Sequence, residues 1–416
     1  MTDKIKIFTI SDHPLSPSGV GTQTRYIIEG MLKTGKYQFV SFGGAIKHED
    51  HNPQQTEQWG TDWVIWPIDG YGNKEQVRAM VQQQKPDILW FMTDPRFFGW
   101  LWEMEHEIRA HIPMVYYHVW DNYPYPTYNR SRYLSNDHIA CISKVTHDII
   151  QTVTPEVDCS YLPHAVDEEI FKPFGSEVAK RLKTERGLGD KFVCVWNNRN
   201  ARRKQSGTLI WWFKEFLDTV GHDKATLIMH TDIKDPHGQD LEKIIHELGL
   251  VNGEVLFSRD KIQATDLAML YNMGDITINI SDAEGFGLAT LESLSCGTPI
   301  LVNMTGGLQE QVTDGENFFG IGLTPASKAI IGSQEVPFIY EDRLNKDDFL
   351  AALTKLYNMD PEDREKLGRQ GRKWTQKHFN FDDFLTRWDD LFTKVHEEKG
   401  SWDSRTPRDR YIMKAY

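Results

Sequence analysis

Cysteine is scarce in this chain of 416 residues, and the few cysteines present do not form a metal-binding pattern. The four occur singly, at Cys141, Cys159, Cys194 and Cys296, and no C-x-x-C pair is found. This spacing excludes a zinc ribbon or a disulfide framework, because both need closely repeated cysteines. Buried, reduced thiols are the simpler interpretation, and they favour a reducing, cytoplasmic setting.

Long apolar runs are also missing from the sequence. No stretch approaches the roughly 20 apolar residues that a membrane-spanning helix needs. The N-terminal segment MTDKIKIFTI lacks the apolar core of a signal peptide and is typical of a short strand. The sequence therefore predicts a protein without stable membrane insertion.

Basic residues are in the minority, since 47 Lys and Arg stand against 60 Asp and Glu, for a net charge of −13. A general nucleic-acid-binding face needs an excess of basic residues, so this balance argues against one. It leaves room for a local cationic site inside a cleft. Aromatic residues make up 12% of the chain, which suits either buried packing or an open cleft that stacks sugars or bases.

Short β-rich apolar runs alternate with helical patterns along most of the chain, as in parallel sheets built from βαβ units. The predicted strands of the first half are 5–10, 37–42, 63–66, 87–91, 114–117 and 138–142, and its predicted helices include 21–32, 74–84 and 144–152. The predicted strands of the second half are 192–196, 225–230, 255–257, 276–280 and 299–302, and its predicted helices include 206–219, 239–248, 265–273 and 287–295. The fold class is therefore α/β.

A short polar connection framed by Pro163 and Pro173 separates the two series of elements. We predict an N-terminal Rossmann-like domain over 1–165 and a C-terminal Rossmann-like domain over 170–378, facing each other across a cleft. The last segment, 379–416, is charged and helical in pattern, and we expect it to cross back onto the first domain.

The strongest motif for chemistry is the segment from Ser281 to Pro299, SDAEGFGLATLESLSCGTP. A predicted strand enters a glycine-punctuated loop, and a helix opens near Gly287. Backbone N–H groups at such a helix start form an anion site suited to a diphosphate, although a plain helix cap has the same appearance. Glu284 in the loop and Glu292 in the helix are eight residues apart and can address different ends of one extended ligand.

Several motifs together resemble glycosyltransferase family 4, whose members are retaining enzymes of the GT-B fold. They are the Glu284-x₇-Glu292 pair, the segment 305–310 (TGGLQE), the basic segment 199–204 (RNARRK), the loop 18–21 (SGVG) and the connection 161–173. These motifs follow the family's order over nearly the whole chain. The amino-acid sequences of segments 93–98 and 117–121 also resemble those of glycosyltransferases carried by tailed phages. Such an enzyme would act in the host cytoplasm.

The resemblance implies a role for each matching residue of the second domain. Arg199 and Lys204 would bind the donor diphosphate, where fixed cations stabilise the charge that develops on the leaving group. Glu292 would hold the donor ribose, and Glu284 would lie at the donor sugar and act in catalysis without serving as a nucleophile. The backbone of Phe286, Gly287 and Leu288 would contribute further donors to the phosphates.

In the first domain, the resemblance places His118 at a strand end that faces the donor sugar, as a second catalytic residue. Gly19 and Gly21 match the family's loop at the floor of the cleft, next to the diphosphate. A dinucleotide-binding site is excluded there, because Thr24 stands where G-x-G-x-x-G needs its third glycine.

The acceptor side is less defined by the sequence. Our candidates for acceptor contacts are Asp94, Arg96, Trp120, Asp121 and Tyr123, and Trp120 opens an aromatic, proline-rich segment that suits either stacking of a ligand or ordinary loop packing. Arg259 is the candidate near the nucleotide base.

Two departures from the family pattern affect this interpretation. Asn198 stands where the family usually has glycine. The segment 324–342 is longer than usual, and we favour a plain surface insertion over a loop lining the acceptor side.

No metal site is expected. His230 and His237 lack partners at ligand spacing, and the acidic pairs 382–383 and 389–390 read as solvated helix charge. The basic residues at 199 and 204 would replace a divalent cation, so the only cosubstrate is a nucleotide-diphosphate sugar, with a UDP-sugar favoured.

Three hypotheses follow. The first is a retaining hexosyl- or pentosyltransferase acting on an unidentified glycan, small molecule or, in a phage setting, hydroxymethylated DNA. The second is a nucleotide-sugar 2-epimerase of the same fold, and the third is a non-catalytic nucleotide-sugar binder. The oligomeric state is not encoded in any motif.

Overall fold

Two parallel sheets organise the computed structural model, which describes residues 4–258 and 262–406. The first sheet has the strand order β3-β4-β2-β1-β5-β6-β7-β8, and it is parallel apart from the short antiparallel pair β3–β4. Its strands are β1 (Ile5–Asp12), β2 (Tyr37–Gly44), β3 (Gln54–Gln55), β4 (Trp63–Pro67), β5 (Ile88–Met92), β6 (Met114–His118), β7 (His138–Cys141) and β8 (Cys159–Tyr161). The helices of this half are α1 (Gly19–Lys33), α2 (Lys74–Gln84), α3 (Gly99–Trp102), α4 (Glu105–Arg109), α5 (Arg130–Leu134) and α6 (Lys144–Val153).

The second sheet is parallel throughout, with the order β11-β10-β9-β12-β13-β14. Its strands are β9 (Phe192–Asn197), β10 (Ala225–His230), β11 (Val255–Ser258), β12 (Ile276–Asn279), β13 (Ile300–Asn303) and β14 (Gly320–Leu323). A separate antiparallel hairpin follows, formed by β15 (Ser327–Ile331) and β16 (Ile339–Arg343). The helices of this half are α7 (Ser176–Glu185), α8 (Ser206–Val220), α9 (Leu241–Glu247), α10 (Ala264–Met273), α11 (Leu288–Ser295), α12 (Leu308–Val312), α13 (Lys346–Asn358), α14 (Pro361–His378) and α15 (Phe381–Lys399).

In both sheets, the direction in which successive strands are added reverses near the centre, and this reversal positions the cleft. In the first sheet the reversal lies between β1 and β5, and in the second it lies between β9 and β12. Ligands of open α/β sheets bind beyond the carboxyl ends of strands at such a switch point. The segments that follow β9 and β12 are the basic stretch and the glycine loop that the sequence singled out.

The last helix, α15, crosses back onto the first domain, as predicted. The Trp388 ring lies 5.3 Å from that of Trp90 and 4.8 Å from that of Tyr117, and Trp388 is fully buried. The hydroxyl of Tyr37 donates to Asp389 Oδ1 at 2.6 Å. Asp389 is therefore a docking contact, and its interpretation as a solvated helix charge was wrong.

The predicted α/β fold class is confirmed, and five of the described strands were not predicted, namely β3, β8, β14, β15 and β16. Strand β8 has only three residues, and β14 contains Gly320 and Gly322, which carry no strand signal. Gly320 is required there, because a Cβ at this position would overlap the backbone of Ile300 on the neighbouring strand. No helix within the described residues is both long and apolar enough to cross a bilayer.

Candidate functional site

The glycine loop between β12 and α11 forms the centre of the candidate site. Gly287 caps α11 with φ +92°, a left-handed conformation that favours glycine, and a Cβ there would lie 2.8 Å from Thr290 Oγ1. Within the described residues, the amide N–H groups of Phe286, Gly287 and Leu288 have no hydrogen-bond acceptor. They are free to donate to an anion at the positive end of the helix.

Glu284 forms a buried ion pair with Lys204 inside this loop. Only 9% of Glu284 and 7% of Lys204 is exposed, and Asn279 Nδ2 donates to the same carboxylate at 3.3 Å. Burial alone would raise the pKa of Glu284, but Lys204 and Arg203 together bring it below its ordinary value. Glu284 is therefore an ionised, fixed carboxylate.

Arg203, which the sequence analysis did not select, is the second cation at this loop. Its Nη1 donates to the carbonyl of Ala283 at 2.7 Å, and its Nε lies 3.8 Å from Asp121 Oδ2 on the first domain. A 3₁₀ turn over Arg202–Lys204 directs the side chains of residues 203 and 204 inward. The sequence spacing of the three arginines at 199, 202 and 203 does not show which of them reaches the loop. Only the geometry of the turn identifies Arg203.

Arg199 does not join the Glu284 cluster in this structure. Its guanidinium makes a two-point ion pair with Asp235, at 2.6 Å and 3.2 Å, and its side chain is 61% exposed. The expectation that Arg199 and Lys204 converge is therefore not met by the observed side-chain positions. Arg203 occupies the place that we had predicted for Arg199.

Glu292 lies in α11 and is held by a tyrosine. The hydroxyl of Tyr271 donates to Glu292 Oε2 at 2.6 Å, and burial raises the pKa of Glu292 to about 7. The Glu292 charge also contributes to raising the pKa of Tyr26 on α1, after burial of that phenol. Leu288, one turn before Glu292 on α11, lies against Gly19, so Glu292 is on the helix face turned toward α1.

The floor of the cleft is made by the start of α1. Ser18 caps this helix by accepting from the Gly21 amide at 2.9 Å, and a Cβ on Gly21 would lie 2.7 Å from the carbonyl oxygen of His13. A Cβ on Gly19 would reach Leu288 Cδ1 at 3.0 Å. The loop at Gly19 and the start of α11 thus lie directly against each other.

His118 is completely buried, and both of its ring nitrogens lack a hydrogen-bond partner among the described residues. Its ring packs between Tyr116 and Tyr133, and burial lowers its pKa to about 3. The two ring nitrogens therefore keep their hydrogen-bonding capacity, because no described residue uses them. The ring is neutral, so it can donate or accept a hydrogen bond but does not act as an acid.

The two domains touch at the glycine loop. A Cβ on Gly285 would lie 2.9 Å from Asp121 Oδ1 and 3.1 Å from the carbonyl of Val119. Burial raises the pKa of the Asp121 carboxyl, with Arg203 acting in the opposite direction. The segment after His118 therefore packs directly on the loop that carries Glu284.

The remaining acceptor candidates divide into exposed and buried side chains. Asp94 and Arg96 form a two-point ion pair at 3.0 Å and are partly exposed. Trp120 is only 4% exposed and packs in the core of the first domain, so it is not the open stacking platform that we considered. The hydroxyl of Tyr123 is bound to Asp148 at 2.7 Å. Arg259 lies outside the described residues.

No group of three or more histidine, cysteine or acidic side chains within the described part of the chain is arranged to hold a metal ion. The four free cysteines are not paired with one another.

Comparison with known proteins finds a family match within the second domain. Residues 190–374 match the family model described as "Glycosyl transferases group 1". A GDP-mannose-dependent alpha-(1-6)-phosphatidylinositol monomannoside mannosyltransferase from Mycolicibacterium smegmatis is 30% identical over 169 residues, which is 39% of this chain and 42% of that protein. A D-inositol 3-phosphate glycosyltransferase from Paenarthrobacter aurescens is 29% identical over 210 residues, or 50% of this chain and 45% of that protein. The matches therefore span less than half of each relative.

Solved structures extend the likeness to both domains. Sucrose-phosphate synthase from Thermosynechococcus elongatus superposes with a TM-score of 0.74 at 17% identity, covering 95% of this chain and 100% of that one. HepE from Anabaena, crystallised in complex with UDP and glucose, superposes with a TM-score of 0.68 at 16% identity, covering 94% and 100%. The chain has the GT-B fold, and its residues 190–374 match the glycosyl transferases group 1 family.

Proposed function

We propose that this protein is a retaining, metal-independent glycosyltransferase that moves a sugar from a nucleotide-diphosphate donor to an acceptor hydroxyl. One observation carries the proposal. Lys204 pairs with the Glu284 carboxylate, Arg203 binds the carbonyl of the preceding Ala283, and the free amides at the start of α11 belong to the same loop, which meets the first domain at Gly285. The family match and the bound UDP and glucose of the HepE structure support the same function and favour a UDP-sugar.

The cations and amides are suited to the leaving group. Breaking the glycosidic bond transfers negative charge to the diphosphate, and fixed positive groups stabilise that charge more in the transition state than in the ground state. Lys204, which is buried and held by Glu284, is preorganised for this role. In this proposal the lysine and arginine do the work of a divalent cation, and Arg199 would reach the phosphates only by leaving Asp235.

The carboxylates have separate tasks. Glu292 faces α1 and would accept hydrogen bonds from the donor ribose, for which an ionised carboxylate is well suited. Glu284, ionised and fixed, would orient the hydroxyls of the donor sugar and stabilise positive charge at its anomeric carbon. The neutral His118 would bind a sugar hydroxyl through its unpaired ring nitrogens, which makes it a positioning group.

The test combines donor binding with turnover. UDP, UDP-glucose and GDP-mannose are screened by thermal shift, because a bound donor stabilises the folded state by mass action. Nucleotide release from the donor that binds is then measured with and without added sugars. We expect Lys204→Ala and Glu292→Ala to lower donor turnover at least about a hundredfold while the proteins remain folded. The control is Lys214→Ala, whose lysine pairs with Asp218 on the exposed face of α8.

Three results would contradict the proposal. The first is unchanged turnover in both Lys204→Ala and Glu292→Ala. The second is conversion of the donor to an epimer without any acceptor, which would identify an epimerase. The third is donor binding without turnover for any acceptor, which would identify a binding protein.

A further inference from the structure

The hairpin over residues 327–343 belongs to the second domain in sequence but is hydrogen-bonded to the first. The amide of Tyr340 donates to the carbonyl of Tyr123 at 2.6 Å, and Asn122 Nδ2 donates to Asp342 Oδ2 at 2.7 Å. The hydroxyl of Tyr128 donates to the carbonyl of Phe338 at 2.7 Å. The hairpin therefore holds the loop 122–128, which follows directly after Asp121. A plain surface insertion, the interpretation that we favoured, does not describe it.

The tip of the hairpin is packed into the core of the first domain. Val336 is 8% exposed and joins a buried cluster whose other buried members all lie within residues 8–153 of the first domain. The rings of Tyr128 and Phe338 meet edge to face at 4.9 Å. This contact is apolar and specific, so the tip is a bound element of the first domain.

The base of the hairpin is anchored beside the donor loop. The amide of Asp342 donates to the carbonyl of Asp282 at 2.7 Å, and Asn303 Nδ2 donates to the carbonyl of Asp342 at 2.6 Å. Arg202 forms an ion pair with Glu341. One hairpin thus connects the loop of Glu284 with the loop that follows Asp121.

Beside the hairpin tip lies a surface with the chemistry of a sugar-binding site. Phe97 is 46% exposed and has the Arg96 guanidinium 5.7 Å from its ring centre. Asp94 Oδ2 lies 3.0 Å from Arg96 Nη2, and Phe98, next to Phe97, packs in the same buried cluster as Val336 of the hairpin tip. The charges of Asp121 and Glu335 also act on Arg96. An open aromatic face with charged groups around it suits a ring that carries hydroxyls. Because Asp94 already pairs with the Arg96 guanidinium, this guanidinium is not a free cation for a phosphate group.

We infer that the hairpin 327–343 and the Arg96–Phe97 surface together form the acceptor site, which takes an uncharged carbohydrate or polyol. This rests on the proposed function and names its acceptor class. The hairpin fixes the loop 122–128 next to the donor loop, Phe97 stacks the acceptor ring, and Arg96 with Glu335 binds its hydroxyls. The hairpin also covers the reaction site against water.

Binding of acceptors is measured by saturation-transfer NMR in the presence of UDP. The probes are methyl α-D-glucopyranoside, methyl α-D-mannopyranoside and myo-inositol as uncharged ligands, with glucose 6-phosphate and a single-stranded oligonucleotide as anionic ones. We expect at least one uncharged probe to bind. Phe97→Ala should weaken that binding about tenfold, as for loss of one stacking face.

The role of the hairpin is tested by shortening it and, separately, by removing one tyrosine hydroxyl that bonds to it. Replacement of residues 332–338 by Asn-Gly keeps the Ile331–Ile339 strand pair and removes the tip. We expect unchanged thermal stabilisation by UDP, weaker sugar binding and at least a threefold higher hydrolysis of UDP-glucose by water. Tyr128→Phe removes only the bond to the hairpin and should weaken sugar binding about threefold. Tyr37→Phe, whose hydroxyl binds Asp389 on α15 at 2.6 Å, away from this loop, is its control and should not change sugar binding.

The outcomes separate this inference from the proposed function. If the unmodified protein does not bind or turn over any donor, the proposed function fails. If it does, the inference is overturned by preferred binding of the phosphorylated sugar or the oligonucleotide, by no binding of any uncharged probe, or by hairpin variants that bind sugar and hydrolyse donor as the unmodified protein does.

Discussion

At the scale of single residues, Glu292 provides a pH test of donor binding. Burial raises the pKa of its carboxyl to about 7, so in the free protein much of it is protonated below that pH. A ribose diol donates to the carboxylate form, so nucleotide affinity should fall as pH decreases. We expect roughly a threefold to tenfold weaker UDP affinity at pH 6 than at pH 8, measured by titration calorimetry. Glu292→Gln should bind more weakly at pH 8 and show a smaller dependence, which comes from the terminal phosphate of UDP with its second pKa of about 6.

Gly306 tests the shape of the donor loop. A Cβ at this position would overlap the carbonyl oxygen of Glu284 and lie 2.8 Å from that of Asp121. Gly306→Ala should therefore displace the loop, lower UDP affinity more than about tenfold and add about 1–3 kcal/mol of steric destabilisation. The control is Gly315→Ala, at φ +100° with nothing within 4 Å, which introduces backbone strain alone. Equal UDP affinity in the two variants would show that the loop does not form the donor site.

Much of the candidate site follows from the sequence, because its parts are local. The loop with Glu284 and the spacing to Glu292 depend on one strand, one turn and one helix. Lys204 and Arg199 were both expected beside Glu284, and in the structure Lys204 and Arg203 lie at the Glu284 loop while Arg199 pairs with Asp235. The 3₁₀ turn over residues 202–204 determines which arginine lies beside Lys204. A run of neighbouring arginines has no periodicity from which that turn could be predicted.

At the scale of secondary-structure elements, Glu310 connects the second domain to the first. Its Oε2 accepts from the Lys144 amide at the start of α6 at 2.8 Å, and its Oε1 accepts from the Tyr161 hydroxyl at 3.0 Å. Burial raises the pKa of Glu310 to about 7, so the folded protein keeps a proton there that the unfolded chain releases near its ordinary pKa of 4.5.

The sign of this effect is fixed by proton binding. Between pH 4.5 and 7 the folded state binds more protons at Glu310, so the contribution of this group to the free energy of unfolding falls as pH rises, by roughly 3 kcal/mol at most. Glu310→Gln lacks the effect. Urea denaturation at pH 5 and pH 7.5 should show a larger loss of stability with rising pH in the unmodified protein than in Glu310→Gln. An identical loss in both would contradict the assignment.

Helix α15 depends on one large side chain. Trp388 is fully buried among Trp90, Tyr117 and Phe392 on the first domain and on α15 itself. Trp388→Ala should lower the free energy of unfolding by about 3–5 kcal/mol, measured by urea denaturation. Trp211→Ala is the matched control, because Trp211 is 53% exposed on α8 and should change stability by less than about 1 kcal/mol. Similar effects of the two substitutions would show that α15 is not docked through Trp388.

The elements that were predicted share strong periodic patterns, and the missed ones do not. Helices such as α2 and α8 and strands such as β2 and β10 begin within a residue of their predicted positions. Strand β14 is rich in glycine, β15 is largely exposed, and the buried residues of β16 are Glu341 and Asp342, so none of the three carries the apolar signal of a buried strand. The two hairpin strands are defined by pairing with each other and by contacts with a distant loop.

At the scale of the whole molecule, the sequence is sufficient for the class and count of domains because two independent α/β series are visible. Their arrangement is set by contacts between segments far apart in the chain. Gln23 on α1 donates to the carbonyl of Ala165 in the connection at 2.7 Å, and Asn122 bonds to Asp342 more than 200 residues later. No local pattern encodes such pairs, so the acceptor side was the part of the site that remained open.

The contact of Gly285 with Asp121 and the carbonyl of Val119 has a kinetic consequence. In this arrangement the loop that would carry the nucleotide is pressed against the opposite lobe. Under the proposed function, we expect spent nucleotide to leave after the lobes part and the hairpin bonds to residues 122–128 break. This opening motion of the two lobes, which a viscous solvent slows, would then limit the turnover rate.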